Sequence, residues 1–206
     1  MDKERDKFIH GSLAQGHPME LAERVFTLIK PFAGYGFPKA HAISYGLISY
    51  WTAYLKANYP EEYMTCLLNA YSDNTDKIAT TVAECRRMGF AFLPPDIHRS
   101  QAQFALEKQR DGSPAIRFGL AMVKNVGTSS VVPFIESRAK AEGPITTIEE
   151  LCRATDMSGL TRKTLENLAK VGAFDQFGDR GGIISSIDRI HSLAKSEAAL
   201  RDSNQT

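Results

Sequence analysis

Residues 121–138 read AMVKNVGTSSVVPFIESR, and this stretch decides how the middle of the chain is built. Leu120–Lys124 reads as a short helix that runs into a tight turn, Asn125-Val126-Gly127. A second helix starts behind the turn, with Thr128, Ser129 and Ser130 at its front. The first amides of such a helix lack intrahelical partners, and the helix dipole adds partial positive charge there. Together they hold a phosphate without any side-chain charge. A contact of that kind positions a nucleic acid without reading its bases. Lys124 adds a cation nearby, and Val126 is placed to plug between the two helices. The competing reading is an ordinary connection, capped by Thr128 or Ser129 and binding nothing.

Residues 160–178, LTRKTLENLAKVGAFDQFG, repeat the layout about 45 residues on. A helix stops at Val171-Gly172, Ala173-Phe174 pack behind it, and Arg162, Lys163 and Lys170 lie on its surface. Two helix-hairpin-helix units in tandem can hold neighbouring phosphates of one backbone. The candidate backbone contacts are therefore Lys124, Asn125, Val126, Gly127, Thr128, Ser129, Arg162, Lys163, Lys170 and Gly172. Taken alone, the second copy also reads as a glycine helix stop beside a solvated basic face.

Working outward, apolar residues at helical spacing predict helix up to Lys30, with Pro18 near a helix start and Pro31 at the stop. Residues 41–59 form a long, nearly uncharged stretch and predict a buried helix ending before Pro60. A further helix is predicted over 61–70, and another from a cap at Thr75 to Gly89. Residues 90–100 read as a short strand broken by Pro94-Pro95. Asp111-Gly112 predicts a β-hairpin near residues 103–118. Short helices follow over 130–141, 147–154, 162–171 and 183–201. The class is mainly α with one small hairpin.

Composition is that of an ordinary globular protein, with 43% apolar and 24% charged residues and a net charge of +1. That balance points to no partner, since a nucleic-acid binder needs its charge on one face. Cys66, Cys85 and Cys152 match no zinc or redox spacing and read as small buried side chains. The charged start, MDKERDKFIHG, has no apolar signal-peptide core, and no apolar run reaches a membrane span. A soluble cytoplasmic protein is the expectation.

Residues 31–46, PFAGYGFPKAHAISYG, place Lys39 and His41 at the front of the long apolar helix. A cation at a helix start suits a phosphate-bearing ligand, and Tyr35 and Phe37 read as stacking or inward-packing groups. The loop lacks P-loop spacing, so nucleotide hydrolysis is not indicated. It reads equally as a loop that caps a core.

Four ordered blocks resemble the C-family bacterial DNA polymerases, the alpha subunits of DNA polymerase III and their error-prone relatives. They are residues 32–64, 82–100, 116–127 and 160–178, and the resemblance covers nearly the whole chain. It implies that residues 1–95 are the distal part of the fingers, that 96–178 are the hairpin plus tandem helix-hairpin-helix module, and that 179–206 are a C-terminal helix and tail. It implies primer-template DNA and the rest of the subunit as partners, with a sliding clamp engaged through segments downstream. Lys39 and His41 become candidates for the nucleotide side. Relatives often carry glycine where this chain has Asn125, and Asn-Lys-Ser where it has Pro38-Lys39-Ala40.

The resemblance also implies a fragment that is not catalytic alone. No cofactor is expected in it, the Mg2+-binding carboxylates being expected in a palm elsewhere in the enzyme. Glu61-Glu62 and Glu149-Glu150 read as charges at helix starts. The other function classes are a stand-alone tandem-hairpin DNA-binding or repair module, a fragment of an error-prone paralogue, and a structural piece exposing an apolar cut face.

Overall fold

The computed structural model describes residues 2–34 and 38–203. The chain divides into two compact units, residues 1–55 and 56–206.

In the first unit, α1 (Asp2–Ala14) and α2 (Met19–Ile29) are separated by Gly16 at φ 82° and by Pro18, whose lack of an N–H suits a helix front. The two helices pack through Ile9 and Ala22, with the Phe8 and Phe26 rings 5.7 Å apart and Arg5 paired to Glu23 at 2.8 Å. A 3-10 turn over Lys30–Gly34 follows. The long apolar stretch forms α3 (Lys39–Asn58), but it contains no buried residue, which corrects the expectation of a buried helix. Ile43, Tyr45, Leu47, Ile48, Tyr50, Trp51, Tyr54 and Leu55 are all exposed. A helix apolar all round needs cover on every side, and the other helices of this unit do not supply it.

In the second unit, α4 (Pro60–Ala70) starts on Pro60 at its first turn, and α5 (Thr75–Arg87) is capped by Asn74 rather than Thr75. The Asn74 side chain accepts from the Lys77 amide, the better geometry one residue upstream. Three strands follow: β1 (Ala91–Leu93), β2 (Ala105–Lys108) and β3 (Pro114–Arg117). The central strand β3 runs antiparallel to β2 and parallel to β1, so the predicted hairpin gains a third strand. Gly112 at φ 82° makes its turn. Met64, Leu68, Cys85, Phe104 and Ile116 form one core between α4, α5 and the sheet.

The larger core is built by the remaining helices: α6 (Thr128–Lys140), α7 (Ile148–Ala154), α8 (Arg162–Lys170), α9 (Arg180–Ser185) and α10 (Ile187–Ser203). Leu120, Val131, Phe134, Leu151, Leu160, Leu165, Leu168 and Phe174 are fully buried in it, and α10 contributes Ile187, Ile190 and Ala194. Each such side chain stabilises by about 1.5–3 kcal/mol relative to exposure. The last predicted helix is thus two, broken at Ser186. Glu150 closes a capping box with Thr147, the helix-start role read for it. Cys85 and Cys152 are buried, and burial pushes both thiols up to about 11, whereas Cys66 is exposed, contrary to expectation. No helix among the described residues is long and apolar enough to cross a membrane.

Candidate nucleic-acid interface

The first hairpin is shorter on its upstream side than the sequence predicts. Leu120–Met122 forms a single 3-10 turn, not a helix to Lys124. The turn ends at Val123, extended at φ −76° and ψ 133°, while the close approach of the Ala102 carbonyl requires glycine at 119 and the Leu120 and Ala121 amides bond the Gln101 and Ala102 carbonyls. The chain therefore turns against a neighbouring segment instead of winding a helix.

Asn125 follows at φ 64°, the only non-glycine among the described residues in the left-handed region. Asparagine tolerates that conformation better than most residues, so it replaces glycine here. The turn brings the Val126 amide to Val123 O at 3.0 Å and buries the Val126 side chain in the core, the plug that the sequence suggests. Gly127 then caps α6 without any side-chain bond, so neither Thr128 nor Ser129 serves as the cap. The Ser129 and Ser130 hydroxyls lie 3.8 Å from where a Gly127 Cβ would sit. Lys124, Asn125, Gly127, Thr128 and Ser129 are exposed. Together they offer an uncapped helix front, bare at Gly127, with an ammonium group beside it.

The second hairpin is built differently. Thr161 caps α8 by accepting from the Thr164 amide, and Leu165, Leu168 and Ala169 anchor its inner face. Gly172, at φ 84°, ends α8: its amide bonds Ala169 O and the Ala173 amide bonds Leu168 O, both at 3.0 Å. This is a Schellman stop, with Ala173 and Phe174 buried behind it. Over Gly172 lies an ion pair. Arg180 is bonded to both carboxylate oxygens of Asp175, and its Nη2 lies too close to Gly172 to leave room for a Cβ there. Arg162 is paired with Asp188, and Lys170 with Glu166 at 2.6 Å. Lys163 is exposed. Exposed pairs of this kind are weak and exchange readily.

Between the hairpins, Lys124 and Lys170 flank a cleft of about 430 Å3 floored by Pro94, Pro95, Phe118, Met122 and Val123. Asn167 lines it, and its Nδ2 is buried without a partner among the described residues. In the other unit, Lys39 opens α3 and is exposed, and His41 lies against Tyr45 with ring centroids 4.2 Å apart. Tyr35 and Phe37 lie outside the described residues. No group of three or more His, Cys, Asp or Glu among the described residues could hold a metal ion.

A family model described as a helix-hairpin-helix motif matches residues 89–182, which takes in both hairpins. The DNA polymerase III subunit alpha of Thermus aquaticus is 38% identical over 188 residues, 91% of this chain and 15% of that protein. The Mycobacterium tuberculosis protein of the same name is 39% identical over 203 residues, and the one from Saccharopolyspora erythraea 42% over 178. The chain belongs to the DNA polymerase III alpha-subunit family. It spans about 14–17% of the length of these relatives.

Two residues that shape this family segment escaped the sequence reading. Arg138 on α6 donates to the Ile97 and Ser100 carbonyls at 2.7 and 2.8 Å, tying the loop after β1 to the helix behind the first hairpin. Arg180 shields Gly172. Neither has a local signal: Arg138 acts across some 40 residues of chain, and Arg180 reads as one more charge in a GDRGG run.

Proposed function

We propose that this chain is a part of a DNA polymerase III alpha subunit that holds the sugar-phosphate backbone of primer-template DNA, with no dependence on base sequence. The observation that carries the reading is the left-handed turn at Asn125, which delivers α6 with Gly127 at its front and no side chain over its first amides. That front, with Lys124 beside it, is suited to one phosphate. The second hairpin contributes through Lys163, and through Arg162 and Lys170 once phosphates displace their exposed carboxylate partners. Its Gly172 acts as the helix stop that shapes the turn.

In this reading the DNA-templated nucleotidyl transfer belongs to the whole subunit, with the Mg2+-dependent step on a palm outside these residues and the clamp bound by downstream segments. Residues 1–95 lie on the fingers side, with Lys39 and His41 facing the incoming nucleotide. The exposed apolar face of α3 supports a larger assembly over a stand-alone repair module, because such a face is costly to leave in water.

The test is fluorescence anisotropy of the purified chain with a labelled primer-template duplex at low and moderate salt. The expected result is binding that ignores sequence, weakens with salt, and falls when Lys124→Gln is combined with Gly127→Asp. Binding that these substitutions leave unchanged would remove the first hairpin from the interface.

A further inference from the structure

The β2–β3 hairpin carries charge that neither helix-hairpin-helix turn accounts for. Glu107 on β2 takes both an Nε and an Nη2 bond from the buried Arg117, and also Arg99 Nη1 at 3.1 Å. Its neighbours Lys108 and Arg110 are exposed, and neither has an acidic partner among the described residues. With Leu93 and Gln109 these groups line a cleft of about 280 Å3. The lining sets four cations, Arg99, Lys108, Arg110 and Arg117, against the carboxylate of Glu107, with Asp96 Oδ2 behind the wall 3.9 Å from Arg117 Nη1. The Glu107 carboxylate is already shared by two of the four. Asp111, next along the chain, is turned to the Ser113 amide and hydroxyl at 2.9 and 2.6 Å.

We propose that this cleft is a phosphate-binding site, in which Lys108, Arg110 and Arg99 take the phosphoryl oxygens while the Arg117–Glu107 pair holds the wall. A concave surface with an excess of one sign of charge focuses the field into its mouth. Guanidinium forks match the spacing of phosphoryl oxygens, and Lys108 adds a point charge. The cleft is smaller than the range of pockets that enclose drug-sized ligands, and its size suits a phosphate better than a whole nucleoside. A phosphodiester of a polynucleotide is the source favoured over a free anion. Leu93 lines this cleft while Pro94 and Pro95 line the one beside Lys124 and Lys170, and Arg117 Nη1 fastens that shared wall through Pro94 O at 2.9 Å. The choice of polynucleotide rests on the nucleic-acid reading above; the site itself rests on its own charge.

Two measurements on the full chain test it, with Lys108→Gln/Arg110→Gln as the variant and Arg86→Gln/Lys195→Gln as a charge-matched control. All four side chains are exposed, so both proteins fold. In the first, sodium pyrophosphate is titrated while the arginine Nε–Hε resonances are followed by NMR. Saturable shifts at Arg99 and Arg110 are expected in the unsubstituted chain, and in the variant the shift at Arg99 is expected to be lost. In the second, duplex binding is measured across salt. The variant is expected to lower the slope of log K against log salt by about one, and the control to leave it unchanged.

No pyrophosphate shift and no change in slope overturns the site. Pyrophosphate shifts with an unchanged duplex slope overturn the polynucleotide source and leave a free-anion site. An equal loss in the control overturns it as well, since general charge then explains the effect. If this variant weakens duplex binding while Lys124→Gln/Gly127→Asp does not, the first-hairpin reading falls and this one stands.

Discussion

Arg117 on β3 grips both carboxylate oxygens of Glu107 on β2, two residues along from Ala105, its direct partner in the ladder. Arg117 is buried and Glu107 is partly so, and Arg117 Nη1 also lies 3.9 Å from Asp96 Oδ2. The guanidinium of Arg117 holds the Glu107 carboxyl below its ordinary value near 4.5, more strongly than burial raises it, and Arg99 lowers it further.

A group whose folded-state pKa is depressed adds stability above its unfolded pKa and loses it as pH falls through the folded one. Unfolding by urea should therefore show stability declining as pH drops below about 4.5, with Glu107 one of the contributors. Glu107→Gln should cost about 2 kcal/mol at neutral pH, the worth of a hydrogen bond to a charged group. It should also flatten that acid limb. An unchanged limb would mean that the pair does not form in solution.

Asn125 sets the first hairpin through its backbone, and its substitutions separate conformation from side-chain chemistry. Asn125→Gly should leave stability and duplex binding nearly unchanged, because glycine enters the left-handed region freely. Asn125→Val should cost about 1–2 kcal/mol in urea unfolding, the penalty of a β-branched residue at φ 64°, and should weaken binding along with it. If Asn125→Gly alone abolishes binding, the asparagine side chain itself contacts the ligand.

The elements with local signals were legible in the sequence. Pro60, Asp111-Gly112, Thr147 with Glu150, and Gly172 each fix a boundary within a few residues of themselves, and the structure has helices, turn and stop at those places. Four features set by distant chain were misread or missed. Leu120–Lys124 has the composition of a helix, yet the chain is docked on the Gln101 and Ala102 carbonyls and is extended by Val123, leaving a single 3-10 turn. The apolar run of α3 says that something covers it, not what, and its own unit leaves it without a buried residue. The strand before Pro94 was read from its own residues, but its parallel pairing with β3 and the Arg138 tether reach across about 24 and 40 residues, which no local pattern encodes. In the candidate site, the hairpin residues were legible because glycine and asparagine mark the turn. The carboxylates that pair with Arg162 and Lys170 belong to the tertiary structure.

Gly127→Asp should move stability and binding in opposite directions. Aspartate is a better helix N-cap than glycine and its charge suits the helix dipole, so α6 should gain about 0.5 kcal/mol. The neighbouring hydroxyls of Ser129 and Ser130 leave ordinary contact distance for the new Cβ. The same carboxylate would occupy the place reserved for a phosphate, and duplex affinity should fall roughly tenfold or more. A variant that is both more stable and a weaker binder distinguishes a phosphate site from a merely structural turn. Unchanged affinity would show that no phosphate approaches Gly127.

Trp51 is the single tryptophan of the chain, it lies on α3, and it is 55% exposed. Its fluorescence therefore reports directly on whether that helix is covered. In dilute solution the emission should be red-shifted and readily quenched by acrylamide, and Trp51→Ser should change stability by no more than about 0.5 kcal/mol, as at other surface sites. An apolar face of this extent drives association in water. Raising the protein concentration should shift the emission to the blue and slow quenching, with a matching rise in mass by sedimentation. Addition of the remaining segments of the subunit should produce the same blue shift at low concentration without the rise in self-association. Emission that is blue-shifted and unquenchable in the most dilute samples would contradict an uncovered α3.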